Sequence, residues 1–327
     1  MHTKNIDTFL TCAMSTSFKS VGVLVTLVVQ NATLVLMLRF SFRDVSRPYS
    51  FSLVLLLSEF LKLLFCVAKV YSDGLTPQQI ISISFSAFKE PLVLIPSCLY
   101  FVQNSLQFVA ARELPAVVYI VLLQLKVLTS AVFSVFILKT QLSRSQWFSL
   151  ALLVFGAVTV QAPAPDTTHA HSGALGAATM IVITGCSGLA GVLLEKVFKK
   201  TGDAAASMRF PHSVWSRNIQ LTCCSLPFVI TNLVLNDWDR LQNGAMMIGL
   251  DMVVSMVILL LAFGGIITGY VMKYASAVLK CFAGVISMCC CAIYSVVVGE
   301  KDLDARLLLG IALVNASVLT FTFGRRT

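Results

Sequence analysis

The stretch Pro115–Leu138, PAVVYIVLLQLKVLTSAVFSVFIL, decides the fold. It carries a single charge, Lys126, eleven residues past Pro115 and twelve before Leu138. At a rise of about 1.5 Å per residue, about 20 apolar residues cross a hydrocarbon core about 30 Å thick, and the run lacks the alternation of a barrel strand. It therefore reads as a membrane-spanning helix with a cation at mid-depth. Nine further apolar runs bounded by charge, Pro or Gly surround it: about Val21–Leu38, Ser52–Val70, Phe85–Ala111, Trp147–Ala162, Gly173–Leu194, Ile219–Leu235, Met246–Met272, Ala275–Val298 and Leu307–Phe323. Backbone polar groups in lipid must be satisfied within each segment, so these runs are expected to be helices.

Composition agrees. The 327-residue chain is 57% hydrophobic and 12% charged, with a mean hydropathy of +0.86, against about 25% charged in soluble domains. A soluble fold is excluded. The formal net charge of +9, from 24 Lys and Arg against 15 Asp and Glu, would suggest nucleic acid on a soluble protein, but no aromatic-interleaved basic patch is present. Walker and dinucleotide-binding glycine patterns are also missing, and the reading calls for neither cofactor nor metal. His169 and His171 in a Pro/Ala/Thr-rich loop are a weak metal signal beside a solvated loop. Among the ten cysteines, Cys66, Cys98, Cys186, Cys223, Cys224, Cys281 and Cys289–Cys291 lie inside apolar runs and read as small hydrophobes. The first run starts only near Val21 and is followed by Arg39, Arg43 and Arg47, the pattern of a retained span.

Ten spans put both termini on one side. That side would hold ten Lys and Arg residues, including Lys4, Lys19, Lys89, Lys139 and Arg325, against seven opposite, so both termini are expected in the cytosol. Sliding the chain by 161 residues lays Val102–Val160 on Phe263–Phe321 without a gap, with Arg112 on Lys273, Tyr119 on Lys280 and Ser134 on Ser295. A repeat of five spans is odd in number, so the second copy would be inverted, the architecture in which substrate binds near the midplane between halves. The expected organisation is a cytosolic tail over 1–20, a first five-helix repeat over 21–162, a lumenal linker over 163–172, a second repeat over 173–323 and a cytosolic tail over 324–327.

A charge at the centre of a span costs about 2.5–3.5 kcal/mol on insertion scales and usually faces a cavity or a partner. Lys126 fits a cavity-facing cation, the alternative being a lysine bonded to neighbouring carbonyls or paired with Glu59. Glu59 and Lys62 share one helix face at a spacing of three, where they either neutralise each other structurally or serve the cavity. Gln103 and Asn104 in the third span, and Tyr119 and Gln124 in the fourth, are either ligand contacts or interhelical bonds. Arg217, Asn218 and Gln220 open the seventh span. Lys273 and Lys280 bracket the break between the eighth and ninth, Lys273 favoured over Lys280 for the cavity and snorkelling the alternative. Glu195, Lys196, Lys199 and Lys200 read as a solvated basic end of the sixth span. Gly185, Gly188 and Gly191, and Gly265 with Gly269, favour close helix packing, with hinging as the alternative. Cations (Lys62, Lys126, Lys273 and Lys280) outnumber acids (Glu59 and Asp251), so the cavity suits an anion. An empty positive cavity reorients unfavourably, which favours exchange of one anion for another.

These residues resemble a family. Val102-Gln103-Asn104, Ala116-Val117-Val118-Tyr119, Gln124-Leu125-Lys126, Leu142-Ser143-x-x-Gln146-Trp147 and Gly156 are similar to the nucleotide-sugar transporters, in the branch carrying CMP-sialic acid, UDP-galactose and UDP-N-acetylglucosamine. Glu59-Phe60-Leu61-Lys62, Cys186-Ser187-Gly188-Leu189-Ala190-Gly191, Glu195-Lys196-Val197, Arg217-Asn218-Ile219-Gln220, Lys273-Tyr274 and Leu279-Lys280-x-Phe282 continue the likeness in order over nearly the whole chain. The family's Tyr-Gln-Val-Thr-Tyr-Gln-Leu-Lys is Tyr119-Ile120-Val121-Leu122-Leu123-Gln124-Leu125-Lys126 here, and Leu221 and Thr222 stand where an aromatic often follows Arg-Asn-Ile-Gln.

The resemblance implies an all-α integral membrane protein of ten helices in two inverted five-helix repeats, of the drug/metabolite transporter type. It implies a Golgi antiporter, not an enzyme, moving a nucleotide sugar from cytosol to lumen in exchange for nucleoside monophosphate. UDP-galactose or UDP-N-acetylglucosamine is the preferred substrate; CMP-sialic acid and, more remotely, a multi-span membrane transferase are the alternatives. Lys126 and Lys273 would hold phosphate, Asn104, Tyr119 and Asn218 would contact the nucleotide, Ser187 would line the site, and Glu59 and Lys62 would sit on the sugar side. Gln103 and Lys280 complete the candidate substrate-binding set. Expected partners are the nucleotide sugar, the monophosphate and membrane lipid, without nucleic acid; the one protein partner the reading admits is a second copy, in a homodimer.

Overall fold

The computed structural model describes residues 2–41, 49–114, 119, 122–161, 173–203, 214–298 and 305–324. His169 and His171, the linker 163–172 and the loop Ala205–Ser213 lie outside them. The described elements are helical: α1 (His2–Ser41), α2 (Phe51–Ser72), α3 (Pro77–Ser86), a 3₁₀ turn (Ala87–Lys89), α4 (Pro91–Glu113), α5 (Leu125–Leu138), α6 (Arg144–Gln161), α7 (Gly173–Asp203), α8 (Val214–Asn236), α9 (Trp238–Gln242), α10 (Met252–Tyr274), α11 (Ala277–Val297) and α12 (Ala305–Phe323). Six stretches are long and apolar enough to cross a membrane: Lys19–Ser41, Phe51–Ser72, Leu175–Lys199, Val214–Asn236, Met252–Tyr274 and Ala277–Val297. A pair of helices bent by 70°, Pro77–Lys89 with Pro91–Gln107, makes a seventh if it is one span, and three shorter apolar helices cover Leu125–Leu138, Arg144–Val160 and Ala305–Phe321. The chain is a multi-span membrane protein.

Several helix ends differ from expectation. The third apolar run is not one helix from Phe85. Glu90 is extended (φ −104°, ψ 96°) and Pro91 starts α4 afresh, because a proline disfavours the α region in the residue before it. The polypeptide ahead of it forms α3, opened by a capping box in which Thr76 and Gln79 bond each other's backbone N–H, with Pro77 in the first turn. Within the fourth run, Gln124 is in a turn between the helical Leu122 and Leu123 and the helix Leu125–Leu138. At the other end, α1 runs unbroken from His2, through the expected end of the N-terminal tail at residue 20.

Caps set the remaining ends that matter. Ser50 Oγ accepts the Leu53 N–H at 3.0 Å to start α2, and Ser276 Oγ accepts the Leu279 N–H at 3.2 Å to start α11. Asp251, expected as an intramembrane acid, is exposed and caps α10 by accepting the Val254 N–H at 2.8 Å. All nine described cysteines are free thiols.

Packing is helix on helix. α4 lies against α7 and α8; α1 against α10 and α11; α2 against α8 and α10; α5 against α7; and α6 against α12. Small residues permit the closest crossings. A Cβ on Gly188 of α7 would stand 2.8 Å from the Ser130 backbone nitrogen of α5, and one on Gly310 of α12 would stand 2.9 Å from the Val160 nitrogen of α6. The largest apolar cluster joins α5, α6, α11 and α12 around Leu150, Leu153, Phe282 and Leu307. Polar space is enclosed by α1, α2, α4, α5, α7, α8, α10 and α11.

Candidate functional site

Two chambers open inside the bundle, and Lys280 and Tyr100 line both. The first, of about 340 Å³, gathers Glu59 and Lys62 of α2, Asn218, Ser225 and Asn232 of α8, and Lys280 of α11. The Lys62 ammonium donates to Glu59 Oε1 at 2.7 Å, and Ser225 Oγ donates to Glu59 Oε2 at 3.0 Å. Lys62 is buried, and its stem fits because α10 has no side chain opposite: a Cβ on Gly265 would stand 2.8 Å from Lys62 Cδ. Asn218 is placed in the same way. Its Nδ2 donates to the Val214 carbonyl at 2.9 Å and would stand 2.8 Å from a Cβ on Gly269. The glycines read from sequence as packing or hinge positions thus make room for two polar side chains of the chamber. Tyr100, Phe101, Phe198 and Phe228 supply aromatic wall, with the Phe101 and Phe228 rings 5.3 Å apart.

The second chamber, of about 270 Å³, gathers Lys126, Gln124, Gln103, Ser187, Asn31 and Lys280. Lys126 enters from the first turn of α5. That turn is held against α7 by Thr129 Oγ1, which donates to the Thr184 carbonyl at 2.8 Å, and by the close approach at Gly188. No carboxylate lines this chamber among the described residues. Two cations, one from each half of the chain, therefore face it without an acid to neutralise them. At an effective dielectric near 20, a unit charge about 4 Å from another is worth about 4 kcal/mol, so the arrangement is suited to an anion.

Of the ten residues singled out in the sequence, Lys126, Gln103, Ser187 and Lys280 meet in the second chamber, and Glu59, Lys62, Asn218 and Lys280 in the first. The structure does not describe the Asn104 side chain. Tyr119 lines neither chamber and packs with Ala110, Leu114, Met180 and Ile183. Lys273 also lines neither, its ammonium standing 5.5 Å from the centre of the Tyr274 ring. The second-half cation that shares a chamber with Lys126 is Lys280.

Glu195 overturns the reading of a solvated helix end. α7 continues to Asp203, which puts Glu195 inside it at 1% exposure, where Oε2 accepts the Ala277 N–H at 2.7 Å and Oε1 meets Lys199 at 2.5 Å. The carboxylate caps the first residue of α11, one turn before Lys280. Arg217, 3% exposed, donates to Glu90 at 2.6 Å and to Gln220 at 2.8 Å, while Gln220 donates to Ser86 at 2.9 Å. This network ties the α3–α4 elbow to α8 at the residues flanking Asn218. Sequence reasoning missed Tyr100, Asn31, Ser225 and Asn232. Asn31 and Asn232 were visible as amides inside apolar runs; a tyrosine or serine there gives no such signal.

Comparison with known proteins identifies the family. A model of the family described as nucleotide-sugar transporter matches residues 14–322. The chain is 30% identical over 309 residues to the UDP-galactose/UDP-N-acetylglucosamine transporter of Caenorhabditis elegans, covering 92% of this chain and 82% of that one. It is 33% identical to the human UDP-N-acetylglucosamine transporter, covering 83% and 84%, and 32% identical to the UDP-galactose transporter of Schizosaccharomyces pombe, covering 91% and 86%. A solved crystal structure of a protein shares the fold at a TM-score of 0.68 and 14% identity, over 95% of this chain and 98% of that one. A match over this much of its length places the chain in the nucleotide-sugar transporter family.

Proposed function

We propose that the chain exchanges a UDP-sugar, UDP-galactose or UDP-N-acetylglucosamine, for nucleoside monophosphate across the Golgi membrane, with both termini in the cytosol. One observation carries the reading: Lys126 and Lys280, from opposite halves of the sequence, line one chamber that has no facing acid among the described residues, and Lys280 also borders the chamber of Glu59 and Lys62. A diphosphate held between the two lysines places the ends of the ligand in the two chambers. The relatives named above carry UDP-sugars, which supports that substrate class. In this reading Asn218 and Ser187 contact the ligand and Gln103 lies beside it, while Asn104 and Tyr119 stay assigned to the nucleotide by resemblance alone.

Exchange follows from charge. With the ligand absent, the two cations would cross in a low-dielectric setting without their counter-charge, so the protein reorients loaded in both directions. Ten spans in two inverted repeats suit this motion. The contacts support them, because exchanging the halves turns one set into another: α4 on α7 becomes α10 on α1, α5 on α7 becomes α11 on α1, and α2 on α8 and α6 on α12 map onto themselves. Proteoliposomes preloaded with UMP, CMP or GMP and offered labelled nucleotide sugars test the proposal. UMP inside is expected to accelerate uptake of UDP-galactose or UDP-N-acetylglucosamine. Acceleration by CMP of CMP-sialic acid alone would replace the substrate, and no acceleration by any preload would reject exchange.

A further inference from the structure

The second chamber holds a group that its own protein leaves unsatisfied. Gln124 is fully buried (0% exposed), and neither Nε2 nor Oε1 of its carboxamide has a hydrogen-bond partner among the described residues. Its backbone carbonyl, by contrast, is satisfied, accepting the Val127 N–H at 3.1 Å as α5 begins. Gln103 Oε1, across the same chamber on α4, is likewise buried without a partner. Buried polar groups in folded proteins are nearly always paired, because an unmade bond forfeits the water it gave up. Two such groups lining one cavity, beside two cations, call for partners brought by a ligand.

The chemistry of that ligand is restricted. The diphosphate of a nucleotide sugar is fully ionised at neutral pH and offers acceptors only, so it can take a bond from Gln124 Nε2 but none of its atoms can give one to Oε1. The orphan oxygens of Gln124 and Gln103 require an N–H or O–H donor, and those of a nucleotide sugar are neutral ones. We propose that Gln124 is a ligand-reading residue: its Oε1 accepts from a neutral donor of the substrate, and its Nε2 donates to an acceptor beside it, next to the phosphate held by Lys126 and Lys280. Gln103 Oε1 takes a second donor of the same kind. This rests on the transport reading above and adds to it a point of discrimination. A site built to bond a donor rejects a ligand lacking one far more strongly than an apolar pocket does. Two parts of the substrate carry such donors, the nucleoside and the hexose.

The test uses Gln124→Met, which keeps the length and removes both polar atoms. The full-length protein in detergent is melted alone, with UMP and with UDP-galactose, and its affinity for each is measured. Removing an unsatisfied buried amide is expected to leave the ligand-free melting temperature unchanged or raised, while affinity for UDP-galactose falls about ten- to a hundredfold. An equal fall for UMP assigns the donor to the nucleoside; a fall confined to UDP-galactose assigns it to the hexose. Wild-type affinity of Gln124→Met for both ligands would overturn the proposal. So would a loss of ligand-free stability with normal binding by the protein that remains folded, since Gln124 would then serve the fold. Gln124→Glu keeps the shape and sets a negative charge beside the phosphate, so its affinity should fall below that of Gln124→Met; wild-type affinity there would equally overturn it. A wild-type protein bound by neither ligand removes the transport reading, and this one with it.

Discussion

Replacing Glu195 with alanine tests whether the start of α11 sets the position of Lys280. The carboxylate makes two contacts of unequal value. Lys199 is 45% exposed and returns to water when its partner is lost, so that contact contributes at most about 1 kcal/mol. The Ala277 N–H has no such recourse: Ala277 is 2% exposed, and a buried donor left without an acceptor costs about 1–3 kcal/mol. Loss of a negative charge at a helix N-terminus adds about 0.3–1 kcal/mol. Together these come to about 1–5 kcal/mol. Fraying or shifting the first turn of α11 removes part of it, and that movement carries the Lys280 ammonium away from the ligand. A cost of about 2 kcal/mol in the bound geometry corresponds to about a thirtyfold loss of affinity. In proteoliposomes, Glu195→Ala is expected to raise the KM for UDP-sugar by an order of magnitude or more, with a smaller change in maximal rate per folded transporter. Glu195→Gln retains a carbonyl oxygen for the Ala277 N–H and should recover most of the lost affinity. If Glu195→Gln were as impaired as Glu195→Ala, charge and not the cap would be the operative feature. If Glu195→Ala transported normally, the link from cap to lysine would be refuted.

The other expectations are more direct. Lys126→Ala and Lys280→Ala should each abolish exchange without loss of folded protein, whereas Lys273→Ala, outside both chambers, should retain most of it; uptake assays on protein matched for folded amount decide. Gly265→Ala introduces a methyl 2.8 Å from Lys62 Cδ, and overpacking of this kind costs about 1–3 kcal/mol. Since Lys62 is the mobile party, the loss should appear in UDP-sugar affinity more than in melting temperature. Glu90→Ala leaves the buried Arg217 without its carboxylate; with Glu90 31% exposed, a destabilisation of about 1–2 kcal/mol is expected, below the value for a fully buried pair. A melting temperature equal to the wild type would show that Gln220 alone satisfies Arg217.

Apolar run lengths carried most of the fold. Six of the ten runs coincide with helices long and apolar enough to cross a membrane, and the other four with a bent helix pair and three shorter apolar helices, because a segment that must satisfy its own backbone in lipid has few alternatives to helix. The elbow at Glu90-Pro91 was also written in the chain, in the proline itself, but hydropathy averages across it. Site residues divided along a similar line. Charges and amides inside apolar runs were visible, as with Lys126, Glu59, Gln103 and Asn218. Tyr119 was not separable from them, since a tyrosine at membrane depth packs as readily as it binds; it lies against the cluster of Ala110, Leu114, Met180 and Ile183. Glu195 was misjudged because three lysines nearby make it look solvated. Its burial depends on where α11 begins, 82 residues away, and no local pattern contains that distance.

The different placement of Lys273 and Lys280 has the same origin. Seven residues are about two turns of an unbroken helix, so the pair would share a face if α10 ran into α11. It does not. Ala275 departs from helical geometry (φ −121°, ψ −130°) and Ser276 caps a new helix. Such a break resets both axis and phase, and spacing across it carries no information about facing. Lys273 therefore ends α10 beside Tyr274, while Lys280, in the first turn of α11, is carried to the border of both chambers. The cap that makes the break also selects which lysine enters the cavity. Ser276→Ala, which loses about 1 kcal/mol of capping, should accordingly lower UDP-sugar affinity in the same direction as Glu195→Ala but by less, while a change at Tyr274 should leave it unaltered. An effect of Tyr274→Leu equal to that of Ser276→Ala would mean that the end of α10, not the start of α11, governs the site.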